Sequence, residues 1–169
     1  SPYQLRTDCT TRLKEIFRDS GFPAEFFEFE VTETLLVGDD GSSLQQLADI
    51  RTELGLRIAM DDFGTGHSSL SQLKLLPIGK LKIDRSFIND LPDDQNDAAI
   101  VKAIILMAHT LGLEVVAEGV ETEAQQHFLC KSQCDHLQGF LYGRPMPAEA
   151  ISDLLGRGQL RHGQLCDTK

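Results

Sequence analysis

The sequence predicts an α/β fold built on parallel strands, and two observations lead to this prediction. Short apolar or alternating segments, which are typical of strands, are separated by longer segments with the spacing of amphipathic helices. In addition, "ELGLRIAMDD" (53–62) and "TLGLEVVAEG" (110–119) each contain a helix end, a glycine, an apolar strand and an acid. Strands that alternate with helices form a parallel sheet, either open or closed into a barrel.

The chain begins with one predicted helix and one predicted strand. Apolar residues recur at helical spacing over residues 3–20, and Ser20 and Gly21 mark the end of that helix. The segment "FFEFEV" (26–31) alternates apolar and acidic residues, which is the pattern of a strand with two different faces.

The second helix and the next two strands are predicted from capping residues and apolar segments. Ser42 or Ser43 is placed to cap a helix with an apolar face, and Gly55 is placed to end it. The short apolar segments at 56–60 and 79–84 are typical of buried strands.

The last part of the chain repeats the alternation. Apolar residues at helical spacing predict a long helix that Gly112 ends. The predicted elements here are a helix that begins at Asp94 or Asn96, a strand over 113–118, a strand within 134–140 and a helix over 147–156.

Composition limits the classes of protein to which the chain can belong. Its 169 residues correspond to one domain, and a net charge of −10 argues against a non-specific nucleic-acid surface. We see no apolar segment near the roughly 20 residues of a membrane span and no signal-peptide pattern. The four irregularly spaced cysteines predict reduced thiols and a cytoplasmic location.

Charged residues stand where the predicted strands end. Glu30, Asp61, Asp62 and Glu118 are acids in this position, and Lys82 lies near the end of another strand. The carboxyl ends of parallel strands meet at one edge of a sheet, where functional sites are built. Oxygen ligands of this kind suit Mg²⁺ or Mn²⁺. Asp61 and Asp62 are placed to serve two neighbouring ions in the complete domain, and these ions would relieve the mutual repulsion of the two acids.

A zinc site is the alternative that the histidines and cysteines raise. His127, Cys130, Cys134 and His136 lie close together in the sequence, but their spacing is not that of a standard zinc finger. Ordinary thiols and polar side chains are therefore the favoured interpretation of these residues.

Five segments resemble, in order, the successive motifs of EAL domains, which are cyclic di-GMP phosphodiesterases. They are "FEFEVTET" (27–34), "DDFGTG" (61–66), "LKID" (81–84), "AEGVET" (117–122) and "CDHLQGFLYGRPMP" (134–147). The resemblance implies a modified (β/α)8 barrel of the TIM-barrel type that uses Mg²⁺ or Mn²⁺ to open cyclic di-GMP to linear pGpG.

The resemblance also implies roles for single residues. Glu30, Asp61 and Asp62 match metal ligands, and Lys82 matches a lysine near the attacking water. Glu118 matches an acid that serves either as a metal ligand or as a general base.

Further matches concern the surroundings of the site. Glu33 and Glu121 match acids that hold the loop after the double Asp, a loop that supports metal binding and dimerisation. Gln138 matches a substrate-binding glutamine of the site. The family also implies a homodimer and an upstream regulatory domain.

The Glu-Ala-Leu motif that gives the family its name is absent from the 169 residues. Ser1 and Pro2 match the end of another family motif, whose metal-binding Asn would precede them. We therefore expect an N-terminally truncated EAL domain over 1–156, with about five of the eight barrel strands, and a C-terminal tail over 157–169. Such a chain is expected to be inactive alone, and a non-catalytic module that binds cyclic di-GMP or a protein partner is the alternative.

Overall fold

The computed structural model describes residues 9–33, 42–66 and 70–156. The start of the first predicted helix and the predicted tail at 157–169 lie outside these ranges. The described α-helices are α1 (Cys9–Ser20), α2 (Ser42–Leu54), α3 (Leu70–Leu73), α4 (Gln95–Thr110), α5 (Glu123–Lys131) and α6 (Ala148–Gly156). The described strands are β1 (Glu28–Thr32), β2 (Arg57–Phe63), β3 (Lys80–Ile83), β4 (Glu114–Glu118) and β5 (His136–Gln138).

The residues group into two compact units. The first unit consists of Ser1–Lys82 together with Thr110–Leu113, and the second consists of Ile83–His109 together with Glu114–Lys169. Each unit has its own buried apolar residues and its own strand pairing.

In the first unit, β1 pairs with β2 in parallel, and β2 also neighbours β3. Ile58, Ala59 and Met60 of β2 are fully buried, as expected for a strand covered on both faces. Helix α2 contributes Leu47 and Ile50, which are also fully buried. The predicted helix and strands of this region therefore exist and form the core of this unit.

In the second unit, β4 and β5 form another parallel pair, in which Glu118 lies opposite Gln138. Val115 and Ala117 of β4 are fully buried, and helix α4 buries Val101 and Ala108. Asp94 accepts hydrogen bonds from the backbone N–H groups of residues 96 and 97, so it is the residue that caps α4.

Strand β2 is longer than the sequence pattern predicted. The prediction ended it at residue 60, but the strand continues through Asp61 and Asp62 to Phe63. The reason is pairing: Asp61 lies opposite Thr32 of β1, so the parallel ladder extends to the double Asp. The acids therefore belong to the last residues of the strand and not to the loop after it.

Two other differences concern local turns. Residues 24–26 form a short 3₁₀ helix, and β1 therefore begins at Glu28 instead of residue 26. Helix α5 was not predicted because its apolar pattern is weak, although Thr122 and Gln125 form a capping box at its start.

A matched pair of substitutions tests the core of the first unit. Ile50 is fully buried in α2, whereas Ile16 of α1 has 59% of its surface exposed. Ile50→Ala should lower the free energy of unfolding by about 2–5 kcal/mol, because it removes buried methyl groups and leaves a cavity. Ile16→Ala should change it by less than about 0.5 kcal/mol, as for most surface sites.

The measurement is urea unfolding followed by circular dichroism on both variants. Equal losses of stability for Ile50→Ala and Ile16→Ala would contradict the assignment of Ile50 to the core.

Candidate functional site

Lys82 of β3 is a buried cation between two acids of the first unit. Only 5% of the residue is exposed. Its Nζ lies 2.7 Å from Glu30 Oε1 and 2.9 Å from Asp61 Oδ1. A buried ammonium is unfavourable unless anions and hydrogen bonds compensate it, and these two carboxylates provide that compensation. Three of the predicted site residues are therefore brought together by β1, β2 and β3.

The same arrangement recurs two residues earlier on β1 and β3. Lys80 Nζ lies 2.7 Å from Glu28 Oε2, and both side chains are partly buried. Alternate residues of a strand point to the same face, so Glu28 and Glu30 of β1 share one face, as do Lys80 and Lys82 of β3. Neither member of the Lys80–Glu28 pair is a predicted site residue, although the alternation of Lys80 and Lys82 was a usable signal.

Asp61 keeps a buried oxygen whose hydrogen-bonding capacity is unused. Its Oδ1 is inaccessible to solvent and makes no hydrogen bond within the described part of the chain. Lys82 Nζ lies close enough to this oxygen for an ion pair, but the angles between the two groups are not those of a hydrogen bond. A buried acceptor in this state is costly unless a further positive group approaches it.

The double Asp fits a hard divalent cation. One carboxylate oxygen of Asp61 and one of Asp62 lie within 4.8 Å of each other. Such a pair is repulsive without a proton or cation, and Mg²⁺ and Mn²⁺ prefer oxygen ligands. Asp62 also has φ 53°, a left-handed conformation that is uncommon outside glycine and that recurs at functional sites. The donor set of Asp61 and Asp62 is thus appropriate for such an ion.

Glu33 holds the loop that follows the double Asp. The residue is 3% exposed, and its Oε2 accepts hydrogen bonds from Gly64 N at 3.2 Å and Gly66 N at 3.1 Å. A Cβ on Gly66 would lie 2.9 Å from Glu33 Cδ, so a larger residue there would displace the carboxylate. Thr65 adds a hydrogen bond from its hydroxyl to the carbonyl oxygen of Asp62.

The predicted residues of the second unit lie at and after the ends of β4 and β5. Glu118 is the half-buried last residue of β4, and Gln138 is the exposed last residue of β5. The two occupy paired positions, and Val120 N donates to Gln138 O at 3.0 Å. Glu121 is exposed, and its backbone N–H donates to the side chain of Gln125.

Asp84, the last residue of the "LKID" segment, begins the turn after β3. Its Oδ1 accepts a hydrogen bond from Ser86 N at 2.9 Å. Burial raises the pKa of Asp84, but hydrogen bonds from Ser86 and Arg85 outweigh burial and hold the pKa below its usual range. The carboxylate thus caps the short 3₁₀ helix of residues 85–87.

The four residues of the zinc alternative do not form a metal site. Burial raises the pKa of the Cys134 thiol to about 12, and this thiol contacts the His136 carbonyl oxygen at 3.3 Å. Within the described ranges, no histidine or cysteine belongs to a group of three potential metal ligands. Cys9 and Cys134 are thiols, but Cys130 is disulfide-bonded, so the expectation of reduced thiols is wrong for Cys130.

Among the described helices, none has the length and apolar character that crossing a membrane requires.

Comparisons with known proteins identify the family. The sequence model of the EAL domain matches residues 1–145. The chain is 57% identical over 122 residues to the bifunctional diguanylate cyclase/cyclic di-GMP phosphodiesterase MucR of Pseudomonas aeruginosa. This match covers 72% of the chain and 18% of MucR, so the chain spans less than a fifth of this relative's length.

Two solved structures show the same fold. The EAL domain of Mycobacterium smegmatis DcpA superposes with a TM-score of 0.85 at 39% identity, over 93% of this chain and 70% of that one. The manganese/cy-diGMP complex of Klebsiella pneumoniae BlrP1 gives 0.77 at 32% identity, over 85% and 37% of the two chains.

These neighbours confirm the prediction of an α/β fold of the TIM-barrel type. The family motifs read from the sequence and the match over residues 1–145 agree with each other. The chain belongs to the EAL domain family.

Proposed function

We propose that this chain takes part in the metal-dependent hydrolysis of cyclic di-GMP to linear pGpG. One arrangement supports the proposal. The ammonium of Lys82 lies between the carboxylates of Glu30 and Asp61, and one carboxylate oxygen of Asp61 lies near one of Asp62. MucR is named a cyclic di-GMP phosphodiesterase, and the BlrP1 complex contains manganese and the cyclic dinucleotide. The chain is 57% and 32% identical to these two proteins, which supports the same substrate here.

The residues proposed to hold Mg²⁺ or Mn²⁺ are Glu30, Asp61, Asp62 and Glu118. Asp61 and Asp62 rest on the paired carboxylate oxygens described above, and Glu30 and Glu118 rest on their sequence motifs. When bound, the cation would polarise a phosphoryl oxygen and lower the pKa of a coordinated water.

Lys82 is proposed to carry a positive charge beside the phosphodiester. Glu30 and Asp61 keep its ammonium charged and fixed, which a buried lysine needs if it is to attract an anion. It then stabilises the charge that develops on the phosphoryl oxygens during cleavage, without any reorganisation of its surroundings.

The remaining residues of the proposal act on the substrate or on the loops. Glu118 is a general base if it is not a ligand, and Gln138 binds the substrate. Glu33 supports the double-Asp loop through Gly64 and Gly66. Glu121 is also proposed to support the double-Asp loop, and this role rests on its sequence motif alone.

Removal of one carboxylate tests the metal assignment. In the protein expressed over its whole coding sequence, Asp61→Asn should weaken Mn²⁺ binding at least about 100-fold and abolish measurable turnover, because the amide cannot replace an anionic ligand. Asp19→Asn is the matched control, since Asp19 is an exposed acid whose side chain is 71% accessible. Isothermal titration with Mn²⁺ and chromatography of pGpG give the two measurements. Unchanged Mn²⁺ affinity in Asp61→Asn would remove Asp61 from the site.

We also propose that the 169-residue chain does not hydrolyse cyclic di-GMP alone. By resemblance, a Glu of the Glu-Ala-Leu motif and an Asn complete the metal ligands, and that motif is absent from the sequence. Loss of two ligands should reduce turnover by at least about 100-fold relative to the protein expressed over its whole coding sequence. The assay follows pGpG with Mn²⁺ present for both forms.

Equal rates for the two forms would show that the missing ligands are dispensable. Binding of cyclic di-GMP by the longer form without turnover would instead favour the non-catalytic module.

A homodimer of the complete domain is part of the proposal, and the outer side of α4 offers an exposed apolar surface for it. Ile100 and Leu106 of this helix are 40% and 70% exposed, although the helix is already apolar on its buried side. Leu106→Glu should convert the dimer to a monomer in size-exclusion chromatography with light scattering. Phe26→Glu is the control at another exposed apolar residue, and dissociation by this variant alone would contradict the assignment.

A cytoplasmic location also belongs to the proposal. It rests on the irregular spacing of the four cysteines in the sequence. The disulfide at Cys130 argues in the opposite direction. Thiol labelling of the protein in intact cells distinguishes a reduced Cys130 from a disulfide-bonded one, since a cytoplasmic protein should react at Cys130.

A further inference from the structure

Gln125 is a buried amide that uses its full hydrogen-bonding capacity. The residue is 4% exposed. Its Oε1 accepts from Glu121 N at 2.8 Å and from Thr122 N at 2.9 Å. Its Nε2 donates to Ile88 O at 3.0 Å and to Asn89 O at 3.1 Å. A glutamine amide has two acceptor sites and two donor hydrogens, so all four are satisfied here.

Helix capping explains only part of this arrangement. In a capping box, Gln125 exchanges hydrogen bonds with Thr122, and both of these bonds are present. The bond from Glu121 N and the two bonds to Ile88 and Asn89 lie outside that motif. The last two reach a segment 36 and 37 residues earlier in the chain.

The loop that Gln125 holds, residues 119–122, directly follows Glu118. Gly119 has φ 75°, and a Cβ there would lie 2.6 Å from Arg85 Cβ, so this loop packs closely on the turn after β3. Val120 N donates to Gln138 O, and Val120 O accepts from Leu141 N, both at 3.0 Å. The loop is therefore fixed by backbone contacts on one side and by Gln125 on the other.

We propose that Gln125 is a positioning residue for the reaction. By joining the loop 119–122 to Ile88 and Asn89, it fixes the exit of β4 and hence the direction of Glu118. The functional part of this inference rests on the proposed function, whereas the rigidity of the loop does not.

Amide hydrogen exchange measures the rigidity directly. Gln125→Met keeps the approximate length of the side chain but removes both donors and acceptors. In this variant the amide hydrogens of Glu121 and Thr122 should exchange at least tenfold faster than in the wild type, with or without Mn²⁺. Gln126→Met is the matched control on the same helix and should leave both rates unchanged.

Kinetics with the protein expressed over its whole coding sequence test the functional part. Gln125→Met should lower kcat about 10- to 100-fold, the usual effect of removing a group that orients a ligand, with KM changed less than about threefold. A purely structural role would instead lower the amount of folded protein, which active-site titration detects, and leave kcat per folded molecule unchanged.

A second variant separates orientation from space filling. Gln125→Glu retains the acceptor for Glu121 N and Thr122 N but places a carboxylate oxygen against the carbonyl oxygens of Ile88 and Asn89. The introduced carboxylate cannot donate to these carbonyls while it is ionised, whereas its protonated form can donate to one of them. The kcat of this variant, relative to the wild type at the same pH, should therefore be higher when the carboxyl is protonated than when it is ionised.

The outcomes distinguish the two levels of the inference. Wild-type protein that binds cyclic di-GMP without hydrolysing it would overturn the proposed function, while the exchange rates would still test the positioning of the loop. Unchanged exchange at Glu121 and Thr122 in Gln125→Met, or unchanged kcat in an active protein, would overturn the role of Gln125. The absence of a pH-dependent recovery in Gln125→Glu would do the same.

Discussion

The charge of a buried lysine is the constraint on which the arrangement of the first unit depends. Glu30 and Asp61, which both lie within 2.9 Å of Lys82 Nζ, compensate the burial of its ammonium. In turn, these acids can approach each other only because the lysine lies between them. The Lys80–Glu28 pair repeats this compensation two residues earlier, so β1 and β3 are linked twice by charge. Removing Lys82 leaves Glu30 and Asp61 without this counter-charge.

The sequence was sufficient to predict that Glu118 ends its strand. The prediction was wrong for Glu30, which is the middle residue of β1. Parallel strands read as apolar segments, and the acids at Asp61 and Glu118 interrupt two segments that are otherwise alike. What the sequence did not provide is the pairing between strands. The contact of Lys82 with Glu30 spans 52 residues and depends on β1 and β3 both neighbouring β2. Local periodicity contains no information about that order.

The same limit explains why Gln125 and α5 were missed. A capping box was readable at Thr122 and Gln125, but the weak apolar pattern of α5 gave no reason to look for one. The contacts of Gln125 with Ile88 and Asn89 are tertiary and follow from the packing of two loops. Sequence reasoning also ended β2 too early, because the pairing of Asp61 with Thr32 outweighs the poor strand propensity of aspartate.

Two loops that follow acids are each fixed by a side-chain oxygen that accepts two backbone N–H groups, but the two side chains differ in chemistry. After β2, the Glu33 carboxylate accepts the N–H groups of Gly64 and Gly66, and after β4 the Gln125 amide accepts those of Glu121 and Thr122. A carboxylate is adequate in the first case because those contacts require only an acceptor. The second case also requires a donor for two buried carbonyl oxygens, which an ionised carboxylate lacks. The choice between Glu and Gln at these positions thus follows from which backbone groups each loop leaves to be satisfied.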